Sequence, residues 1–215
     1  MTGDESVQRM EFMLTLRRRG ITDQAVLRAM DEVPREHFVD SQHAGFAYAD
    51  QAMPIACGQT ISQPYIVAYM TEQLQVRGNH RVLEVGTGSG YQAAVLSRLA
   101  REVISIERYR TLADSARTRL KTLDYNNVEV VTGDGFAGEP SRAPYDRIIV
   151  TAAAAEVPQA LTEQLAEDGI MVAPLGPPDG HQELARLTKT NGWLKRDNLI
   201  AVRFVQLLPG KAREL

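Results

Sequence analysis

One stretch governs what this chain can become: "VLEVGTGSGYQAAVL", residues 82–96, where a buried strand runs through three glycines into a helix. Gly86, Gly88 and Gly90 allow a tight turn there and let a ligand approach the backbone. The pattern then repeats. "EVISIE" reads as a strand and residues 109–123 as a helix; "VEVVTGD" is a further strand, followed by "YDRIIVTAA", a helix near 157–166 and "GIMVAPLG". Strands alternating with helices in this way imply a mostly parallel sheet with helices on both faces. "ELARLTKT" and "LIAVRFVQLL" close the chain as strands expected to pair antiparallel at one edge. The expected fold is an α/β, doubly wound, mostly parallel seven-stranded sheet of Rossmann-like type.

The region ahead of the glycine loop reads differently. Residues 5–19 and 23–32 carry helical periodicity, separated by Gly20, with Thr22 or Asp23 as the cap. Residues 34–63 are irregular, punctuated by Pro34, Gly45, Pro54 and Gly58. Ile66, Val67, Met70 and Leu74 recur at helical spacing, and Pro64 suits a first turn, where no intrahelical N–H is needed. No internal repeat or low-complexity linker separates these parts. One domain is expected over 1–215: N-terminal helices and loops at 1–78, a ligand-binding βαβ core at 79–175 and edge strands at 176–215.

Composition narrows the function classes. At 215 residues the chain can bury one full-sized core. A net charge of -3 gives no reason to expect nucleic acid or an anionic membrane as partner, and Arg17-Arg18-Arg19 reads as a solvated helix face. The start, "MTGDESVQRMEF", has no apolar core of a signal peptide, and no stretch approaches the roughly 18 apolar residues of a membrane span. Cys57 is the only cysteine, which excludes an internal disulfide and a zinc cluster. His37, His43, His80 and His181 show no metal spacing. The expectation is a reduced cytoplasmic protein, monomeric, with no metal, nucleic acid or membrane.

The loop itself points to a nucleoside. The dinucleotide spacing GxGxxG needs glycine at position 91; this chain has Tyr91, which is expected to crowd the helix entrance where a pyrophosphate would sit. Nor does the loop carry the lysine of a phosphate-binding loop. Glu107 ends "VISIE", 21 positions after Gly86, where an acid accepts hydrogen bonds from a ribose diol. Asp134, in "GDGF", ends the third strand and can accept from an adenine amino group. Each has a plainer reading: a structural turn for the glycines, a surface carboxylate for Glu107, an Asp-Gly turn for Asp134. Their joint placement at the carboxyl ends of consecutive strands, where open α/β sheets bind ligands, favours the nucleoside. S-adenosylmethionine is the common adenine nucleoside cofactor that lacks phosphates.

These segments, with "GQTISQPYIVAYM" at 58–70, "VPREHFV", "ISIER", "YDRIIVTAAAAEVP" and "VRFVQLL", together resemble the protein-L-isoaspartate O-methyltransferases over roughly residues 10–210. The glycine loop is shared by many methyltransferases; the TISQP and VRFV segments are far more specific. The resemblance implies methyl transfer from S-adenosyl-L-methionine, leaving S-adenosyl-L-homocysteine, to the free α-carboxyl of an L-isoaspartyl residue in a damaged protein or peptide. The ester then closes unaided to a succinimide, whose hydrolysis partly restores aspartate. The resemblance assigns Ser62 the role of orienting that carboxylate. It puts Thr60, Ile61, Ser62, Gln63, Gly86, Gly88, Glu107, Asp134 and Gly135 on the cofactor. Thr151 is expected on the floor of the site against the substrate, and Val202, Phe204 and Val205 are expected to border the peptide by backbone hydrogen bonds to an extended chain.

The chemistry agrees with these residues. A free carboxyl with a pKa of about 4 is already ionised at neutral pH and needs no general base. What it needs is positioning, with an oxygen in line with methyl and sulfonium, about 3 Å from the carbon. Because positive sulfur and negative carboxylate cancel in the transition state, uncharged donors serve better than a lysine. Ser62 and the amides around it are such donors; the alternative is that Ser62 caps the helix beginning near Pro64. Thr151 has the alternative of an ordinary strand end, and Val202 to Val205 of an ordinary edge strand. Cys57 lies nearby with no base to activate it. The chain departs from the family's usual pattern at Ala155 and Gln206, where proline is usual, and at Ala56, where glycine is common. Two other functions compete: methylation of a small metabolite, and a nucleoside-binding fold kept as an interaction module. The TISQP and VRFV segments speak against the first, and the intact set of Gly86, Glu107, Asp134 and Ser62 against the second. Residues 50–63 are a candidate for a segment that closes over substrate.

Overall fold

The computed structural model describes residues 3–178 and 180–212. Two helices come first, α1 (Gly3–Arg18) and α2 (Gln24–Glu32). Asp23, rather than Thr22, caps α2: its carboxylate accepts from the amides of Ala25 and Val26 at 2.7 and 3.2 Å, satisfying donors that a helix start leaves free. From Arg35 to Ile61 the chain forms short 3-10 turns and a ribbon of two strands, β1 (Met53–Pro54) and β2 (Thr60–Ile61). Helix α3 (Pro64–Leu74) follows.

The alternating core then begins. It comprises β3 (Arg81–Val85), α4 (Tyr91–Ser97), β4 (Glu102–Glu107), α5 (Arg110–Thr122), β5 (Val128–Thr132), β6 (Tyr145–Val150), α6 (Gln159–Gln164) and β7 (Leu165–Leu175). The hairpin β8 (Gln182–Thr190) and β9 (Trp193–Val202) completes the sheet. Seven strands lie in the order β5-β4-β3-β6-β7-β8-β9. Strands β3 to β7 are parallel, while β8 and β9 run antiparallel at one edge. Strand order reverses at β3, between β4 and β6. Open α/β sheets hold ligands beyond the carboxyl ends of the strands at such a point.

Both faces of the sheet are covered, which is why its strands read as near-continuous apolar runs. On one face Leu83, Val85, Ile104, Ile106, Ile148 and Val150 pack with Leu161 of α6. On the other, Val82, Val103, Ile149 and Val172 pack with Met70 and Leu74 of α3 and Leu96 of α4. A further cluster joins the N-terminal helices to this core, with Leu16, Leu27, Met30 and Phe38 against Tyr91 and Tyr125. Each such fully buried apolar side chain stabilises the fold by roughly 1.5–3 kcal/mol.

The structure departs from the sequence expectation in three places. The helix expected up to residue 166 ends sooner: Leu165 already pairs with Tyr145 as the start of β7, which bulges through Asp168 and rejoins at Ile170 opposite Arg147. Strand β9 begins at Trp193, ahead of "LIAVRFVQLL". The reason is a tight turn at Asn191 and Gly192, whose φ of 52° and 77° are left-handed, the Asn-Gly signal of a two-residue hairpin. The same strand also stops at Val202. Phe204 and Val205 therefore lie outside it, in a segment that crosses to the end of β6, where Ala153 N donates to Val205 O (2.8 Å) and Leu207 N to Ala153 O (2.7 Å). Among the described residues, no helix is long and apolar enough to cross a membrane.

Candidate active site

A cleft of about 840 Å³, solvent at its mouth included, opens at the carboxyl ends of β3, β4 and β6. Its walls are Gly86 and Gly88 of the glycine turn, Glu107, Gly135, the segment Thr60 to Ser62, and the crossing tail from Val205 to Leu208. Gly86 sits at a left-handed φ of +102°, and a Cβ there would stand 2.3 Å from Thr151 Oγ1. No other residue fits so close a crossing. The Thr151 hydroxyl is shared between the carbonyls of Gly86 (2.7 Å) and Val85 (3.0 Å), so it tethers the turn across β3 and β6. A Cβ on Gly135 would lie 2.6 Å from Val85 Cγ1, which keeps that wall flat.

Glu107 is nearly buried, and two amides fix its carboxylate: Gly88 N donates to Oε2 (2.8 Å) and Tyr109 N to Oε1 (3.0 Å). A carboxylate has about four lone-pair sites, so acceptor capacity remains for a ligand's hydroxyls. Asp134 spends Oδ1 on an Asp-Gly turn, accepting from Phe136 N at 2.9 Å. Gly135, rather than Asp134, lines the cleft. Beneath the turn, Glu84 is wholly buried; Ser105 Oγ donates to its Oε2, and Ser105 Oγ lies 2.5 Å from Thr87 Oγ1. Burial pushes the Glu84 carboxyl up to about 8; the Ser105 bond opposes this and the Glu107 charge adds to it. Glu84 is therefore largely a neutral acid at pH 7.

Tyr91, expected to crowd the helix entrance, is instead turned inward. Its ring is 1% exposed and packs edge-on against Phe38 with centroids 5.5 Å apart. The gain from burying an aromatic ring among Phe38, Tyr125 and Met30 outweighs leaving it at the mouth. Cys57 has a left-handed φ of 59°, and burial, followed by the Glu107 charge, pushes its thiol up, away from the reactive thiolate.

A second, larger cleft of about 1320 Å³, again including open solvent, adjoins the first. Thr60, Ser62, Thr151 and Val205 line both. Val202, Phe204 and Gln63 line the second one only, together with Arg19, Asp50 and Tyr65. Gln63, expected on the cofactor, turns its Nε2 to the carbonyl and Oδ2 of Asp50, at 2.9 and 3.0 Å. Asp50 also accepts from Tyr65 N at 2.9 Å and pairs with Arg19, whose guanidinium lies 3.6 Å over the Tyr65 ring. Asp50 thus caps α3 from another loop. The side chain of Gln63 at the N-cap position makes no capping bond, and the Ser62 hydroxyl has no hydrogen-bond partner among the described residues. The helix is capped without it.

Sequence reasoning missed several of these residues. Asp50 acts across a loop and leaves no local signal. Arg108 lines the first cleft with Nε and Nη1 buried and unpartnered, as is Nε2 of Gln206. These are donors without an acceptor among the described residues. An unpaired buried donor is unfavourable unless a ligand supplies the acceptor.

The switch-point cleft, the glycine turn lacking a phosphate loop's lysine, and the acid closing β4 define a class, the Rossmann-like methyltransferases that bind an adenosyl group. Within that class the chain belongs to the protein-L-isoaspartate(D-aspartate) O-methyltransferase family, whose profile matches residues 7–212. Protein-L-isoaspartate O-methyltransferase 2 of Rhodopseudomonas palustris (strain HaA2) is 60% identical over 208 residues, covering 97% of this chain and 96% of the relative. The protein-L-isoaspartate O-methyltransferase of Parvibaculum lavamentivorans is 55% identical over 214 residues, covering 98% and 96%. A solved protein-L-isoaspartate O-methyltransferase superposes with a TM-score of 0.84 at 31% identity, over 92% of this chain and 65% of that one. A Plasmodium falciparum structure of the same description, in complex with S-adenosyl-L-homocysteine, gives 0.81 at 28% identity, over 92% and 97%. A precorrin-6y C5,15-methyltransferase from Geobacter metallireducens shares the fold alone, at 17% identity and a TM-score of 0.52, over 69% of this chain and 89% of that one.

Proposed function

We propose that this chain methylates the free α-carboxyl of L-isoaspartyl residues in damaged proteins and peptides, with S-adenosylmethionine as methyl donor, and so begins their repair through a succinimide. One observation carries the reading: the two clefts share a wall at Thr60, Ser62, Thr151 and Val205, so their occupants meet beside the Ser62 hydroxyl.

The first cleft suits an adenosyl group. Its Gly86 wall admits close backbone approach, Glu107 offers fixed acceptors for a ribose diol, and Arg108 and Gln206 offer donors. Gly135 borders the adenine, with Asp134 holding the turn behind it, and Thr60 and Ile61 close the near side. When bound, S-adenosylmethionine supplies a methyl group on a sulfonium, which a carboxylate oxygen takes with release of S-adenosylhomocysteine.

Everything else asked of the protein is positioning. Ser62 orients the substrate carboxylate through a neutral hydroxyl, which steers the anion without holding its charge against reaction. Its freedom from capping, a task Asp50 takes over, suits that role. Gln63 secures the same segment through Asp50. Thr151 acts on the glycine turn, and Val202, Phe204 and Val205 border the peptide. The three parts of the chain work as one domain, in the cytoplasm, as a monomer and without nucleic acid; the net charge of -3 and the single cysteine support this setting.

Matched peptides test the reading, one with L-isoaspartate and one with aspartate at the same position. Methyl label from S-adenosylmethionine is expected on the first and not on the second. Equal labelling of both, or label on neither, would contradict it.

A further inference from the structure

Behind the shared wall lies a cation for which the reaction as described has no use. Arg35, in the 3-10 turn Arg35–Phe38, is 0% exposed. Its Nε donates to the carbonyl of Ala47 and its Nη2 to the carbonyl of Ser62, both at 2.8 Å. The guanidinium carbon stands 4.6 Å from the centre of the Tyr91 ring, and Tyr91 is the first residue of α4, directly after the glycine turn. Nη1 has no partner. Both bonds thus go to backbone carbonyls, not to a carboxylate.

A buried cation without a carboxylate partner is unfavourable, and an apolar side chain of similar volume fills such a space at less cost. Packing alone therefore does not account for arginine. What a methionine cannot do is grip two carbonyls at once with a rigid fork. One of those carbonyls is that of Ser62, whose own hydroxyl is anchored by no other hydrogen bond among the described residues. Fixing the carbonyl restrains the peptide plane between Ser62 and Gln63, and so narrows the directions open to the serine Cα–Cβ bond. Stacking on Tyr91 refers that direction to the helix bearing the glycine turn.

We propose that Arg35 is a positioning residue for methyl transfer: by gripping the Ser62 carbonyl it aims the Ser62 hydroxyl at the substrate carboxylate. Arg35 lines neither cleft. The inference rests on the reading of Ser62 given above.

A double-mutant cycle tests it, with Arg35→Met, Arg35→Lys, Ser62→Ala and the Arg35→Met/Ser62→Ala pair. Single-turnover methyl transfer is measured at saturating isoaspartyl peptide, and S-adenosylhomocysteine affinity by titration calorimetry. Arg35→Met is expected to slow transfer by roughly tenfold or more while the S-adenosylhomocysteine Kd stays within about threefold. Arg35→Lys, with one head where two are needed, recovers part of the rate. The double variant is no slower than Ser62→Ala alone, because both changes remove the same contribution. A double variant slower than Ser62→Ala by the full Arg35 factor overturns the proposal, as does a Kd that worsens as much as the rate. Ser62→Ala at the wild-type rate sinks the reading of Ser62 and this inference with it, an outcome distinct from the previous two. Where Arg35→Met does not fold, nitrogen-15 NMR of the wild-type protein with S-adenosylhomocysteine bound decides. The Arg35 Nη2 proton bonded to the Ser62 carbonyl should exchange slowly and its signal shift when isoaspartyl peptide is added; an unshifted signal overturns the proposal.

Discussion

The two clefts meet at Ser62 yet are built by different means. The cleft proposed for the adenosyl group rests on strand ends and main-chain geometry, with Gly86 and Gly135 pressed against their neighbours and Glu107 held by two amides. The cleft proposed for the peptide rests on loops tied by side chains, through Asp50, Arg19, Gln63 and the crossing tail. A rigid cradle suits a ligand of constant shape, whereas a surface that takes isoaspartyl sites in many proteins does better with walls of side chains. The difference predicts that changes on one side leave the other's task intact.

The strongest way to break this division is at Gly86. A Cβ there meets Thr151 Oγ1 at 2.3 Å, on a backbone at φ +102° that side chains disfavour. Gly86→Ala is expected to weaken S-adenosylhomocysteine binding by about 3 kcal/mol or more, combining backbone strain with the collision. Titration calorimetry showing wild-type affinity would mean that the turn does not shape the cleft.

Glu84 sharpens the contrast through pH. Unfolded, a glutamate loses its proton at about 4.3; folded, Glu84 keeps its proton up to about 8. Between those values the folded state binds the extra proton, so stability falls as pH rises, by about 1.4 kcal/mol per unit from this group. Glu84→Gln removes the fall. Denaturant unfolding at several pH values should show the variant gaining on wild type from about pH 5 upward and the gap levelling above about 8. A constant gap would show that Glu84 does not hold a proton in the folded state.

A smaller pair of effects should run in opposite directions. Glu107→Ala is expected to weaken cofactor binding by roughly 1–3 kcal/mol, by leaving buried ribose hydroxyls unpaired. Ser62→Ala should leave that affinity near normal and slow methyl transfer. Calorimetry beside single-turnover rates checks both. The opposite ordering would exchange the roles of the two clefts.

The adenosyl side was the more legible in the sequence, because its determinants are local. A strand, a glycine turn, a helix and an acid at the next strand end follow one another within a single βαβ unit. The peptide side depends on contacts between distant segments. Asp50 caps α3 from a loop whose sequence shows no helical or strand period, and nothing marks Arg35 as the partner of a carbonyl in residue 62. The tail read as a strand because Val202, Phe204 and Val205 are apolar or aromatic, but beyond Val202 it bonds to Ala153 instead of extending the edge. That arrangement leaves the amide of residue 206 outside the ladder. In one place the signal was present and went unread: Asn191-Gly192 marks the hairpin, while Lys195 to Asn198 are polar and lack the apolar residues that mark a strand. An exposed edge strand tolerates such residues.

A crystal structure with S-adenosylhomocysteine and an isoaspartyl peptide bound together tests the central claim most directly. The account predicts the nucleoside along Gly86, Glu107 and Gly135, the peptide beside Val202 to Val205, and the free α-carboxylate within hydrogen-bonding reach of Ser62 Oγ, facing the sulfur. A nucleoside bound elsewhere, or a serine hydroxyl turned from that carboxylate, would contradict it.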